Sequence, residues 1–486
     1  MFDLELPERF RRYVPLTVWL LVVLTVIFIP LYIISYGYLP ADDCLRHCAK
    51  AVSDKSWPEI LVVGDNFKID HNLGWHAILG GLHQALNWDT ETLVVFSVVV
   101  LFLIVNGSVL TWLKRPEAWL GALLLLMLIS DFPQRVMLGR PFALTVAALI
   151  TILFAVQKSA PGWKNFLLFT AAIASCTFVH GVWYLWLLPL MAFVFAGQFR
   201  WAGLLAGAWP AGVALAALAT GHPADYLWEG INMALGSTGQ HATARTLVTE
   251  FQPFTGEILG VISLGALVLL RVWLKPAALP LTKNPAFWLV IGCWMLGFRV
   301  SRFWEDWGWP ALAVLLVTET EFLLLAKFAT DSLRRFWLVL LLAVATFLAV
   351  TSDARSRWTQ NLTWQFLSVK EHPELAGWLP EKGGILYSAD MTVFYQTFFK
   401  NPHGDWRYQL GYEPWLMPAK DFETYQKILW NLGDAKAYAP WVEKMKSADR
   451  LVIHGNSGER PNIPRLEWNY GVSGIWLGRT PRTSAH

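Results

Sequence analysis

The stretch VPLTVWLLVVLTVIFIPLYIISYGYLPADDCLRH, residues 14–47, decides how this chain is read. From Val14 to about Tyr38 it carries no charge and is long enough to cross a bilayer's hydrocarbon core as a helix. Directly after it, Pro40-Ala41-Asp42-Asp43-Cys44-Leu45-Arg46-His47 sets two adjacent carboxylates just outside that span. Charge at such a place contributes nothing to apolar packing, whereas a general base there can meet a lipid-borne substrate.

The rest of the chain extends the membrane reading. Of 486 residues 55% are hydrophobic and 15% charged, with a mean hydropathy of +0.40, which soluble domains do not sustain over this length. The 28 Trp fit membrane interfaces and sugar stacking equally well and decide neither. A net charge of +3, without a recognisable RNA- or DNA-binding motif, argues against nucleic acid as partner. The first apolar run exceeds a signal-peptide core and lacks a small-residue cleavage site, so it reads as an anchor.

Apolar runs bounded by charge give about eleven spans: 14–36, 91–113, 117–131, 141–157, 164–179, 183–198, 202–220, 257–274, 286–298, 311–327 and 335–351. Alternate connections hold the basic residues: Arg9, Arg11 and Arg12; Lys114 and Arg115; Lys158 and Lys164; Arg200; Arg271, Lys275 and Lys283; Lys327, Arg334 and Arg335. The positive-inside rule places these in the cytoplasm, and an odd number of spans then puts the C-terminus outside. The expected fold is an α-helical polytopic membrane protein over residues 1–351, with a long first external loop at 37–90 and a small α/β extracytoplasmic domain at 352–486. In that domain 384–389, 450–455 and 474–478 read as strands, and 391–399, 420–432 and 437–447 as helices. The tail from Thr480 is expected to be disordered.

Within the first loop, Leu45, Cys48, Ala49 and Val52 recur at helical spacing, predicting a helix over 41–53 with Asp42 and Asp43 at its N-terminal end. Helix capping accounts fully for one aspartate there, less well for two. A second stripe, Leu73, His76, Leu79, Leu82 and Leu86, predicts an amphipathic helix over 72–88 lying in the interface plane. Cys44, His47 and Cys48 share one helix face, which leaves three states open: a Cys44–Cys48 disulfide, a metal site, or neither. Cys176 and Cys293 sit in apolar runs and read as core.

Ala41-Asp42-Asp43-x-x-Arg46-His47, followed by Asp54-Lys55-Ser56-Trp57, resembles the first-loop signature of membrane glycosyltransferases of the GT-C fold. The likeness is to the aminoarabinose-transferase and protein O-mannosyltransferase branch. Asp70-His71-Asn72-Leu73-Gly74-Trp75-His76 stands where that branch carries a Lys-Pro-Pro-Leu-Tyr-Tyr type sequence. Ser301-Arg302-Phe303-Trp304-x-x-Trp307-Gly308-Trp309-Pro310-Ala311-Leu312 is similar to its late loop. His47 departs from the usual tyrosine, and the Pro-Pro pair is absent.

The resemblance implies transfer of a sugar from a polyprenyl phosphate to a lipid, glycan or protein acceptor outside an inner membrane. Asp42 would be the general base, with Asp43 orienting it. Phosphate is already a good leaving group, so one carboxylate suffices, unlike the two that hydrolysis needs. Arginine forks suit the donor phosphate, and Arg135, Arg140, Arg245, Arg299 and Arg302 are candidates, with Lys68 behind them. Arg46, His47, Asp70, His71, His76, His180, Glu305 and Asp306 are candidates for holding substrate, and Asp43 with His47 for a divalent metal ion. Glu319 and Glu321 read as snorkelling or paired acids. The rivals are a polymerase or ligase of lipid-linked polysaccharide, for which His222, His241 and Arg245 of the 221–256 loop would be tested, a transporter or flippase of lipid-linked glycan, and a noncatalytic assembly partner.

Overall fold

A computed structural model of the chain describes residues 11–64, 67–235, 252–254, 256, 258–274, 280–352, 358, 366–431, 434–454, 459–471 and 474–481. In chain order the main helices are α1 (Val14–Ser35), α2 (Asp43–Ser53), α3 (Leu73–Leu86), α4 (Thr90–Leu110), α5 (Glu117–Ile129), α6 (Phe142–Lys158), α7 (Trp163–Val179), α8 (Leu187–Phe195) and α9 (Phe199–Ala219). They continue with α10 (Pro223–Leu235), α11 (Ile258–Leu274), α12 (Pro285–Gly297), α13 (Trp309–Lys327), α14 (Leu333–Ser352), α15 (Met391–Lys400) and α16 (Ala419–Trp430). The strands are β1 (Ile385–Ser388), β2 (Arg407–Tyr408), β3 (Arg450–His454), β4 (Glu467–Tyr470) and β5 (Ile475–Arg479).

The chain forms two compact units. One takes residues 11–37, 97–231 and the described part of 252–352; the other takes 38–96, 232–235 and the described residues from 358 onward. Every apolar run read as a span forms helix. Five of these helices are long and apolar enough to cross a bilayer: α1, α4, α9, Ser301–Lys327 and α14. The remaining apolar helices run 10–17 residues. Together they describe a helical membrane protein.

In the membrane unit α1 packs on α14, α5 on α13 and α14, and α7 along α9. The last pair approach closely because Gly212 has no side chain: a Cβ there would lie 2.8 Å from the Thr170 carbonyl oxygen. The loop cations meet buried acids. Glu321 accepts from the Lys114 and Arg115 backbone amides (2.6 and 3.1 Å) and from the Lys158 ammonium at 2.6 Å. The Arg335 fork grips Glu117 at 2.6 and 2.9 Å, and Arg271 grips Glu319 at 2.8 and 2.5 Å. Glu319 and Glu321 are thus paired acids, as expected. Contacts with Glu117, Glu319 and Glu321 gather the connections bearing Arg115, Lys158, Arg271 and Arg335.

The second unit is built on a five-stranded sheet of order β2-β1-β3-β5-β4. β1 pairs parallel with β2 (Ile385 opposite Arg407) and β3 (Leu386 opposite Arg450); β5 runs antiparallel to β3 (Val452 opposite Leu477) and β4 (Asn469 opposite Leu477). The three expected strands and the expected helices are present to within a residue or two, with 437–447 forming a 3-10 turn and the short helix Ala439–Lys444. β2 and β4 are additions, too short or too polar to stand out by pattern. Residues of the first loop enter this unit's core. Ala49, Trp57, Ile60 and Leu61 pack with Leu386, Phe394, Tyr408, Tyr412 and Leu477. The tail from 482 lies outside the described residues.

Candidate active site

α2 begins one residue after Asp42, which occupies the N-cap with φ −133° and ψ −142°. Its side chain accepts no capping hydrogen bond from the first turn, so capping does not explain it. At the other end Asp54 closes the helix in the left-handed region at φ 52°, a conformation that short polar side chains tolerate. The Asp54-Lys55-Ser56-Trp57 string is therefore a helix stop followed by a new start. Ser56 and Glu59 form a capping box, with the Ser56 amide donating to Glu59 at 2.7 Å, and Trp57 is turned into the core.

Between these ends α2 is buried almost all round. Buried polar groups require partners, and Asp43, Arg46 and His47 of α2 form one connected set. Arg46, 4% exposed, donates from Nε to Asp43 and lies 4.0 Å over the Tyr412 ring, with Trp57 at 5.9 Å. Burial opposes the guanidinium charge, yet the Asp43 carboxylate outweighs it and raises the Arg46 pKa above its ordinary value. Asp43 is about a quarter exposed and stands 3.4 Å from His47 Nε2.

His47 is fully buried, and its Nδ1 lies 2.8 Å from His76 Nε2 on α3. His76 Nδ1 lies 2.5 Å from Asp70 Oδ2, and Asp70 Oδ1 accepts the Asn72 amide at 2.9 Å. Burial, followed by the nearby Arg46 charge, pushes His47 down to about 3. His71, whose ring centroid is 5.9 Å from that of Tyr412, falls to about 4, chiefly by burial. Burial alone would raise Asp70; the His76 contact reverses this and holds the carboxyl well below its usual range. Sequence reasoning named Asp43, Arg46, His47, Asp70, His71 and His76 separately. The fold brings them together, and it adds Tyr412, for which no local signal pointed at Arg46.

The other candidates fare differently. Lys68 is exposed, and Arg245 and His241 lie outside the described residues. In the membrane unit Arg135 is buried and bound to acids: Nε and Nη2 donate to Asp306 at 3.0 and 2.6 Å, and Nη1 lies 2.8 Å from Glu305. Arg302 Nε donates to the other Asp306 oxygen at 3.0 Å. Two guanidiniums against two carboxylates balance in charge, so these four side chains act first as a structural network. Glu305 and Asp306 lie in a π-helical turn, Trp304–Gly308, a geometry found often at functional positions. Arg140 is half-buried and Arg299 exposed. His180 caps α7, its amide donating to Cys176 at 2.8 Å.

No disulfide joins Cys44 to Cys48. Among the described residues no three His, Cys, Asp or Glu side chains gather as a metal-binding set; Asp43 and His47 stand as a pair. Neither a protein-family model nor a curated protein matches this chain.

Proposed function

We propose that the protein is a multi-pass membrane glycosyltransferase resembling the GT-C fold, using a polyprenyl-phosphate sugar and acting on the extracytoplasmic face. The observation that carries this reading is Asp42. It is a carboxylate at a helix start that does no capping work, and beside it Asp43 is engaged by a buried arginine. A paired acid beside an apolar span, its N-cap member making no capping hydrogen bond, fits a base that serves an acceptor hydroxyl.

In this reading the acceptor oxygen attacks the sugar's anomeric carbon. The carbon–oxygen bond to phosphate breaks with its electron pair going to the polyprenyl phosphate, and the hydroxyl proton passes to Asp42. Arg46 pairs with Asp43 alongside. The donor phosphate would be met by arginine forks, with Arg135, Arg140, Arg245, Arg299 and Arg302 as the candidates and Lys68 behind them. A divalent ion at Asp43 and His47 would need a further ligand. In this reading the six shorter apolar helices among the described residues also cross, giving about eleven spans. The N-terminus is placed in the cytoplasm and the sheet domain in the periplasm of an inner membrane, a placement supported by the basic residues of alternate connections.

The test is transfer from labelled polyprenyl-phosphate sugars to lipid, glycan and protein acceptors by the purified protein. Asp42→Asn is expected to abolish turnover while donor binding persists. Full turnover by that variant would sink the assignment. Absence of turnover with every donor would move the balance to a transporter or an assembly partner.

A further inference from the structure

α1 and α14 are both long and apolar enough to cross a bilayer, and they pack on each other. Between them runs an open groove of about 610 Å³, walled by α1 from Leu21 to Ser35 and by α14 from Leu340 to Leu348. Leu24, Phe28, Val344 and Leu348 stand in its walls at 44–58% exposure. Tyr32 meets Phe347 edge to face across it, with ring centroids 5.1 Å apart. Three polar side chains enter the lining, and each is engaged on α1 itself. Thr25 Oγ1 donates to the Leu21 carbonyl at 2.7 Å, Ser35 Oγ donates to the Tyr32 carbonyl at 2.7 Å, and the Tyr32 hydroxyl lies 3.0 Å from that of Tyr36. The groove therefore presents hydrocarbon to whatever fills it.

We propose that this groove is a phospholipid site, in which one acyl chain lies along α1 and α14 with its head group at the Tyr32 and Tyr36 end. Size and lining select that occupant. α1 rises about 21 Å from Leu21 to Ser35, and α14 about 12 Å from Leu340 to Leu348. A partner's transmembrane helix, ~10 Å across, fills roughly 1,600 Å³ over 21 Å, and half of it already exceeds the groove. Helices that meet in lipid also approach through small residues, as α7 and α9 do at Gly212, whereas these walls are mainly leucine, phenylalanine and valine. A flexible chain needs no such approach. One leaflet of a ~30 Å hydrocarbon core is about 15 Å deep, which falls between the two wall heights. A chain longer than one leaflet overruns the α14 wall. Tyr32 and Tyr36, 41% and 61% exposed, carry the amphipathic rings that collect at head-group level. The site rests on the helical membrane fold alone, so it stands or falls separately from glycosyl transfer.

The experiment is photolabelling of the full-length protein in vesicles of phosphatidylethanolamine and phosphatidylglycerol. The vesicles carry, as probe, a phosphatidylcholine with a diazirine midway along one acyl chain, and adducts are located by proteolysis and mass spectrometry. Adducts are expected to concentrate on the groove walls, around Leu24 and Phe28 and around Val344 and Leu348. Val344→Trp, which fills the groove from an exposed wall, should lose most of that labelling. Leu341→Trp, on the same helix, 66% exposed and outside the groove, should retain it. Adducts spread evenly over the exposed apolar residues of both helices, Leu20 and Leu341 included, would overturn the proposal, because bulk lipid touching a surface labels it in that way. So would labelling of the walls that a small excess of polyprenyl phosphate over probe removes, or a photoreactive amino acid in place of Val344 that captures a second polypeptide instead of lipid. The wild-type adduct map decides by itself should Val344→Trp fail to fold.

Discussion

Replacing Arg46 by Met should loosen α2 from the sheet unit without removing any apolar contact of comparable size. The guanidinium pairs with Asp43 and lies over the Tyr412 ring at 4.0 Å, with Trp57 at 5.9 Å. Near-contact opposite charges at an effective dielectric of ~20 are worth about 4 kcal/mol. Asp43 is a quarter exposed, so water recovers roughly half of that once the arginine is gone. Loss of a buried cation–π contact adds about 1–2 kcal/mol, and sparing the guanidinium its desolvation returns part of the sum. The net loss is about 2–3 kcal/mol. Cys44 and Cys48 lie on the same helix at 0% exposure and report its opening directly. With Cys176 and Cys293 replaced by Ala, thiol labelling of Arg46→Met should run roughly 30- to 150-fold faster than in the parent. Arg46→Lys, which keeps the charge but loses the planar fork, should fall between. Labelling of Arg46→Met within about threefold of the parent would refute the claim that this side chain clamps α2 in place.

Glu117→Ala leaves Arg335 charged and buried at about 1% exposure, so the membrane unit should lose about 3–5 kcal/mol in a denaturant titration, with much of it regained in Glu117→Ala/Arg335→Met. Gly212→Val places a side chain 2.8 Å from the Thr170 carbonyl and should separate α7 from α9, costing about 1–3 kcal/mol by the same titration; Gly212→Ala should cost less. Acid should weaken the sheet unit. His47 and His71 have pKa values lowered from 6.5 to about 3 and about 4, so below 6.5 the unfolded chain binds protons that the folded one refuses. Stability is therefore full above 6.5 and falls as pH drops toward 4. The unfolding constant should rise by up to about tenfold per pH unit for each histidine, and His47→Gln should halve that slope.

The linear chain alone determined a good deal. Unbroken apolar runs settle where helices form, because a helix satisfies its own backbone groups whatever surrounds it. Every expected span is accordingly helical. Alternation and turn residues likewise marked β1, β3 and β5, whereas β2 is only two residues long and β4 has the polar pattern Glu467–Tyr470. Asp42 and Asp43 could be picked out because two adjacent acids exceed what capping needs.

Only the tertiary structure decided what those acids belong to. Read along the chain, 37–90 is a loop of the membrane part. Folded, it shares a core with residues more than 300 positions away, through Lys55 on the Gly404 carbonyl, Val62 on Tyr408 and Arg46 on Tyr412. The same is true of the histidines. His47 and His76 lie on separate helices, and nothing in their spacing reveals a 2.8 Å contact or a carboxylate at each end. Helical periodicity reports which face of a segment is buried. It does not report what that face meets, because the partner is chosen by packing between segments that the local pattern never compares.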